Sequence, residues 1–158
     1  MSKYTVSFIG HRKIDTTPEL KQKLLSLIEN LILTKGAATF LFGSRSLFND
    51  LCLECVTELK NVYRYIERIY VRAEFPFIDE RYTAYLLNSY ESTYFPENLI
   101  NAQRAVYVKR NFEMIDKSDL IVFYKSNEYS KSFNSGTDVA YKHALKRKKK
   151  IINVAELC

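Results

Sequence analysis

Apolar positions along this chain come in short solid runs separated by longer stretches of helical period. Residues 4–9, Tyr-Thr-Val-Ser-Phe-Ile, are β-branched and aromatic, the signature of a buried strand. Leu20, Leu24, Leu27, Ile28, Leu31 and Ile32 then recur at helical spacing up to Gly36. Thr17 can cap this helix and Pro18 suits its first position. Residues 39–42 form a second apolar strand. A helix opens at Phe48-Asn49-Asp50-Leu51 and runs to about Tyr63, with Leu51, Cys55, Val56 and Leu59 inward. Residues 66–72 read as a third strand. Strand and helix alternate, which predicts a parallel sheet with right-handed crossovers.

The middle of the chain is less regular. The pattern predicts a helix over residues 79–89, an aromatic loop over 89–96 and a short strand over 105–108. A helix follows through Met114 and Ile115 to Ser118. Leu120-Ile121-Val122-Phe123-Tyr124 is the clearest strand of all. Residues 125–134 are polar and serine-rich and read as a mobile loop. Ser135-Gly136-Thr137 opens a helix through Ala140, Ala144 and Leu145, and residues 150–154 form a last buried strand. With no internal repeat and no linker, all 158 residues read as one domain, 1–158.

Composition narrows the class. No apolar run approaches the roughly 20 residues that span a bilayer, and the first strand begins too early to leave room for a secretory signal. The three cysteines suit a reducing cytoplasm. Cys52 and Cys55 have C-x-x-C spacing but lie mid-helix without a second pair, so they read as core thiols. Two distant histidines assemble no metal set, and no cofactor is expected. Much of the net charge of +6 comes from Lys146-Arg147-Lys148-Lys149-Lys150. No aromatic residue interleaves with these cations, so a solvated helix end is favoured over a nucleic-acid surface.

The candidate chemistry sits where strands end. Of four glycines, Gly36 reads as a helix stop. Gly10, Gly43 and Gly136 fall at strand-to-helix junctions, the edge where open α/β sheets bind ligands. Four polar turns share that edge: Gly10-His11-Arg12, Gly43-Ser44-Arg45-Ser46, Arg72-Ala73-Glu74 and Ser135-Gly136-Thr137. Glycine lets backbone N–H groups approach a ligand, helix N-termini favour anions, and Arg12 and Arg45 can grip phosphate bidentately. A side chain at position 136 would block a phosphate there. His11 reads as a ligand donor or a structural hydrogen bonder. Ser44 and Ser46 read as phosphate donors or caps, and as nucleophiles only beside a base. Asn49 and Asp50 can bind a ribose or cap the helix. Arg72 and Glu74 can pair with each other or with ligand.

Together these residues resemble the SLOG superfamily, which includes the lysine-decarboxylase-like Lonely guy proteins and the DNA-processing Smf proteins. The YpsA-like branch is the most similar. The resemblance rests on Ile9-Gly10-His11-Arg12, on Phe42-Gly43-Ser44-Arg45-Ser46 with Phe48-Asn49-Asp50-Leu51, on Arg110-Asn111 followed by Met114-Ile115-Asp116-Lys117-Ser118-Asp119, and on Ser135-Gly136-Thr137. It implies an α/β, Rossmann-like three-layer sandwich with a mostly parallel sheet of about five strands. It also implies a pocket for a nucleotide or nucleotide-derived ligand, adds Arg110 and Asn111 to the site, and makes a homodimer plausible. The phosphoribohydrolase members carry Pro-Gly-Gly-x-Gly-Thr-x-x-Glu. Here the paired glycines are replaced and the glutamate position is Ala140. Three functions are therefore expected in order: ligand binding as a sensor or sequestering protein, nucleoside-monophosphate hydrolysis at the N-glycosidic bond, and single-stranded nucleic-acid binding.

Overall fold

The computed structural model describes residues 3–126 and 135–157. The first strand, β1 (Tyr4–Gly10), is followed by α1 (Pro18–Lys35), β2 (Ala37–Phe42), α2 (Leu47–Lys60) and β3 (Glu67–Val71). Then come α3 (Glu80–Leu87), β4 (Ser92–Tyr94), α4 (Val106–Lys117), β5 (Leu120–Tyr124), α5 (Gly136–Lys146) and β6 (Lys150–Asn153). Caps set the helix starts. The Thr17 hydroxyl accepts from the Leu20 N–H, and Ser46, Asp79 and Ser135 play the same part for α2, α3 and α5. Gly36 closes α1 with φ at 68° and donates its N–H to the Leu31 carbonyl, the left-handed geometry glycine takes without strain.

The strands form one sheet in the order β4-β3-β2-β1-β5-β6, and every neighbouring pair is parallel. Alternation along β1 explains the layers. Val6 and Phe8 face α1 and α2, joining Leu24, Ile28, Phe40, Phe42, Phe48 and Val56 in one core. Ile9 points the other way, to a second core with Met114, Ile115, Phe123, Ala140 and Ala144 of α4, β5 and α5. The result is a three-layer α/β sandwich. Cys52 and Cys55 are buried in the first core, and burial pushes the Cys55 thiol up to about 12, which leaves it protonated and unreactive.

Six strands stand where about five were expected. The added one is β4, in the stretch read as an aromatic loop; it pairs with β3 through Ile69, Tyr70 and Val71. Residues 105–108 are not a strand. They are the end of a 3-10 turn (Gln103–Ala105) and the first turn of α4. The loop expected over 125–134 falls, beyond Ser126, outside the described residues. Among the described residues no helix is long and apolar enough to cross a membrane.

Chain order reverses at β1. β2, β3 and β4 step outward on one side of it, and β5 and β6 lie on the other. At such a switch point the loops leaving the carboxyl ends of the strands part, and a crevice opens.

Candidate functional site

A cavity of about 860 Å³ occupies that crevice. Its wall combines the turns after β1, β2 and β3 with the first turns of α4 and α5. Of the residues singled out in the sequence, Gly10, His11, Arg12, Gly43, Ser44, Arg45, Ser46, Arg72, Glu74, Arg110, Asn111, Ser135, Gly136 and Thr137 line it. Asn49 and Asp50 do not. Asn49 is buried behind the wall, donating from Nδ2 to the Phe8 carbonyl at 2.7 Å and accepting at Oδ1 from the Gly43 N–H at 3.2 Å. It ties the ends of β1 and β2 together. Asp50 is exposed on the outer side of α2.

The glycines serve packing more than ligand approach. A Cβ on Gly10 would sit 2.4 Å from Phe48 Cδ2, so the turn can close on α2 only without a side chain. A Cβ on Gly43 would meet Arg110 Cδ at 2.6 Å. That space admits the arginine, whose Nη1 donates to the Gly43 carbonyl at 2.6 Å. Gly136 differs from both. Nothing lies within 4 Å of a Cβ there and its φ is not left-handed, so a side chain would fit without backbone strain.

Charge in the cavity is lopsided. Five cations line it (Arg12, Lys13, Arg45, Arg72 and Arg110) against two acids, Asp15 and Glu74. Arg110 is 4% exposed, and its hydrogen bonds go to the Gly43 carbonyl and the Asn111 side chain. No carboxylate pairs with it among the described residues. Burial lowers its pKa, opposed by the charges of Tyr70, Tyr107 and Glu74. Arg72 is also buried, and burial lowers its pKa as well. Its expected pairing with Glu74 does not occur: Nε donates to the Phe75 carbonyl, Nη1 to Thr93 Oγ1 and Nη2 to the Pro76 carbonyl. Arg72 thus shapes the turn after β3. Arg12 and Arg45 are exposed at the rim.

Hydroxyls and N–H groups complete the wall. Ser46 caps α2, accepting from the Asn49 N–H at 3.0 Å, and its Oγ lies 3.1 Å from that of Ser44. Ser135 caps α5 by accepting from the Asp138 N–H, and its hydroxyl donates to Asp138 Oδ2 at 2.8 Å. The N-terminal turn of α5 therefore faces the cavity with its partial positive charge. Four aromatic residues that sequence reasoning missed, Tyr70, Phe75, Tyr82 and Tyr107, line the side beyond β2 and β3. Tyr70 lies on β3, Phe75 in the turn after it, Tyr82 on α3 and Tyr107 on α4, and nothing in the sequence marks them out among twelve tyrosines and ten phenylalanines.

His11 is 6% exposed, and its Nε2 lies 2.9 Å from the Ser126 nitrogen and 3.1 Å from the Ser126 carbonyl oxygen, so it accepts from the N–H or donates to the carbonyl according to its tautomer. Burial, opposed by a hydrogen bond to Ser126 and the charge of Asp138, lowers its pKa below the usual 6.5. The unfolded chain then binds this proton more readily than the native state. Stability from the neutral ring is complete above about pH 6.5 and is lost as pH falls through the lowered native pKa. Denaturant melts from about pH 7.5 to about pH 5 should show a steeper loss for the wild type than for His11→Gln. Parallel profiles would contradict this assignment.

The basic run lies elsewhere. Lys150 begins β6, which puts residues 146–150 at the amino-terminal edge of the sheet, opposite the cavity. Within it, Lys149 Nζ donates to the carbonyls of Asp116 and Ser118, and Arg147 Nε lies 3.5 Å from Asp116 Oδ1.

No protein-family model matches the chain, and no curated protein does. Solved structures of the molybdenum cofactor carrier protein from Chlamydomonas reinhardtii do resemble it. One superposes with a TM-score of 0.57 at 17% identity, covering 95% of this chain and 75% of that one. A second gives a TM-score of 0.55 at 18% identity, covering 98% and 77%. The fold is Rossmann-like. At this identity the likeness speaks for architecture alone, and the chemistry has to be argued from the cavity.

Proposed function

We propose that this chain binds a phosphorylated small molecule, a nucleotide or nucleotide-derived signal, in the crevice at the carboxyl edge of its sheet. The observation that carries this reading is Arg110, a guanidinium buried in the cavity wall with no carboxylate at ion-pair distance among the described residues. Burying an unpaired charge is costly, and an anionic ligand would offset that cost. The α5 N-terminus and the Arg12 and Arg45 side chains supply further donors. Membership of the SLOG superfamily, and of its YpsA-like branch, belongs to the same reading and rests on the motif set.

Binding without turnover is the favoured form. The Ala140 side chain, where the hydrolases of that group carry glutamate, is 1% exposed and packed into the core with Ile9 and Phe123. The solved neighbours are described as carriers of a cofactor, which suits a holding role. Nucleoside monophosphates should therefore bind and be recovered intact by chromatography. Release of free base would establish the hydrolase instead. Arg45→Ala should weaken binding by about 1.5 kcal/mol in calorimetry, the low end for a charged hydrogen bond, because the side chain is exposed. Unchanged affinity would remove Arg45 from the site.

A further inference from the structure

Glu74 is out of place in this cavity. Its carboxylate faces a wall dominated by arginine, yet no arginine or lysine lies within ion-pair distance of it among the described residues. Its hydrogen-bond partner is the Tyr107 hydroxyl, which donates to Oε1. Oε2 has no hydrogen-bond partner among the described residues, and Glu74 lines the cavity. Around it stand aromatic rings: Tyr107 itself, Tyr70, and the edge-to-face pair Phe75 and Tyr82, with centroids 6.0 Å apart. The acid thus sits at the aromatic side of the cavity, and the α5 N-terminus and Arg12 at the side beyond β1.

We propose that Glu74 reads the ring edge of the ligand and selects a 2-amino-4-oxo heterocycle of guanine or pterin type. This rests on the nucleotide reading above. Aromatic walls accept any flat ring; a carboxylate among them adds direction. Ionised, it is acceptor-only, so it favours a ring that presents parallel N–H donors. The ring N–H and exocyclic 2-amino group of guanine and pterin do so. Hypoxanthine lacks the amino group, and adenine presents an acceptor at the matching ring nitrogen, against which the carboxylate is repelled. A ligand with this ring at Glu74 and a phosphate toward α5 satisfies both ends of the cavity.

The test is calorimetry with four probes: guanosine, inosine and adenosine 5′-monophosphates, and a pterin bearing a phosphate ester. The guanosine probe or the pterin probe should bind about tenfold or more tighter than the inosine probe, the effect of a charged hydrogen bond. Preference between those two identifies which ring source the site takes. In Glu74→Gln, with an unchanged thermal melt, that gap should close to within about threefold. Equal affinity for all four, or a gap that survives in Glu74→Gln, overturns the role of Glu74 and leaves the anion site standing. Binding of none of the four overturns both readings.

Discussion

Gly10→Ala should lower the stability of the protein by about 3 kcal/mol, the upper part of the usual range for overpacking a core. The added methyl would lie 2.4, 2.6 and 2.8 Å from Cδ2, Cγ and Cβ of Phe48. Phe48 cannot step aside. It is fully buried, its Cβ is fixed to α2, and its ring packs against Tyr124 with centroids 5.7 Å apart. Moving α2 would also break the hydrogen bond from the Leu47 N–H to the Arg12 carbonyl. Urea denaturation should show a lower midpoint with an unchanged slope, and the melting temperature should fall by roughly 6–12 °C for a chain of this size. A midpoint equal to the wild type would mean that α2 floats free of the β1 turn.

Arg110→Met should separate binding from stability. Loss of the buried cation removes the strongest anion contact of the cavity, and affinity for a phosphorylated ligand should drop by about 1.5–3 kcal/mol, roughly 10- to 100-fold. Folding should not suffer in proportion. Methionine fills a similar volume, and replacing a buried charge with an apolar side chain is often neutral or stabilising by about 1 kcal/mol or more. The Gly43 carbonyl loses a buried donor, a cost of about 1 kcal/mol that sets against this gain. Calorimetry and a denaturant melt on the same preparation decide the matter. Intact binding with a large loss of stability would make Arg110 a structural strut.

Much of this architecture is written in local pattern. β1, β2 and β5 are short apolar runs, and α1 and α2 bury one stripe at regular spacing, so period alone locates them. β4 escaped because it has three residues at the sheet edge, with Ser92 exposed and Thr93 and Tyr94 half-buried. Such a strand has no apolar period to read; its pairing with β3 is what makes it a strand. Val106-Tyr107-Val108 misled in the opposite direction. The triad is β-branched and aromatic, and no side chain caps α4 to announce a helix. Only Arg110, Met114 and Ile115 further along are buried.

The site divides in the same way. The turns that carry Arg12, Arg45 and Ser135 were visible because glycine and hydroxyl residues interrupt apolar runs there. The jobs of the glycines were not, since the contact that excludes a side chain at Gly10 comes from a residue 38 positions on, Phe48. Asn49 reads as a ribose ligand or a helix cap for want of the same information. Its partners, Phe8 and Gly43, belong to two different strands.

Amide chemical-shift mapping on the isotopically labelled protein tests the central claim most directly. Titration with a nucleoside 5′-monophosphate of each base should shift signals from the turns at residues 10–15, 43–46 and 72–75 and from the start of α5 at 135–137. These segments together enclose the cavity. The signals of residues 146–150 should stay in place. Shifts confined to that basic run, or no shifts at millimolar ligand, would contradict a ligand site at the carboxyl edge of the sheet.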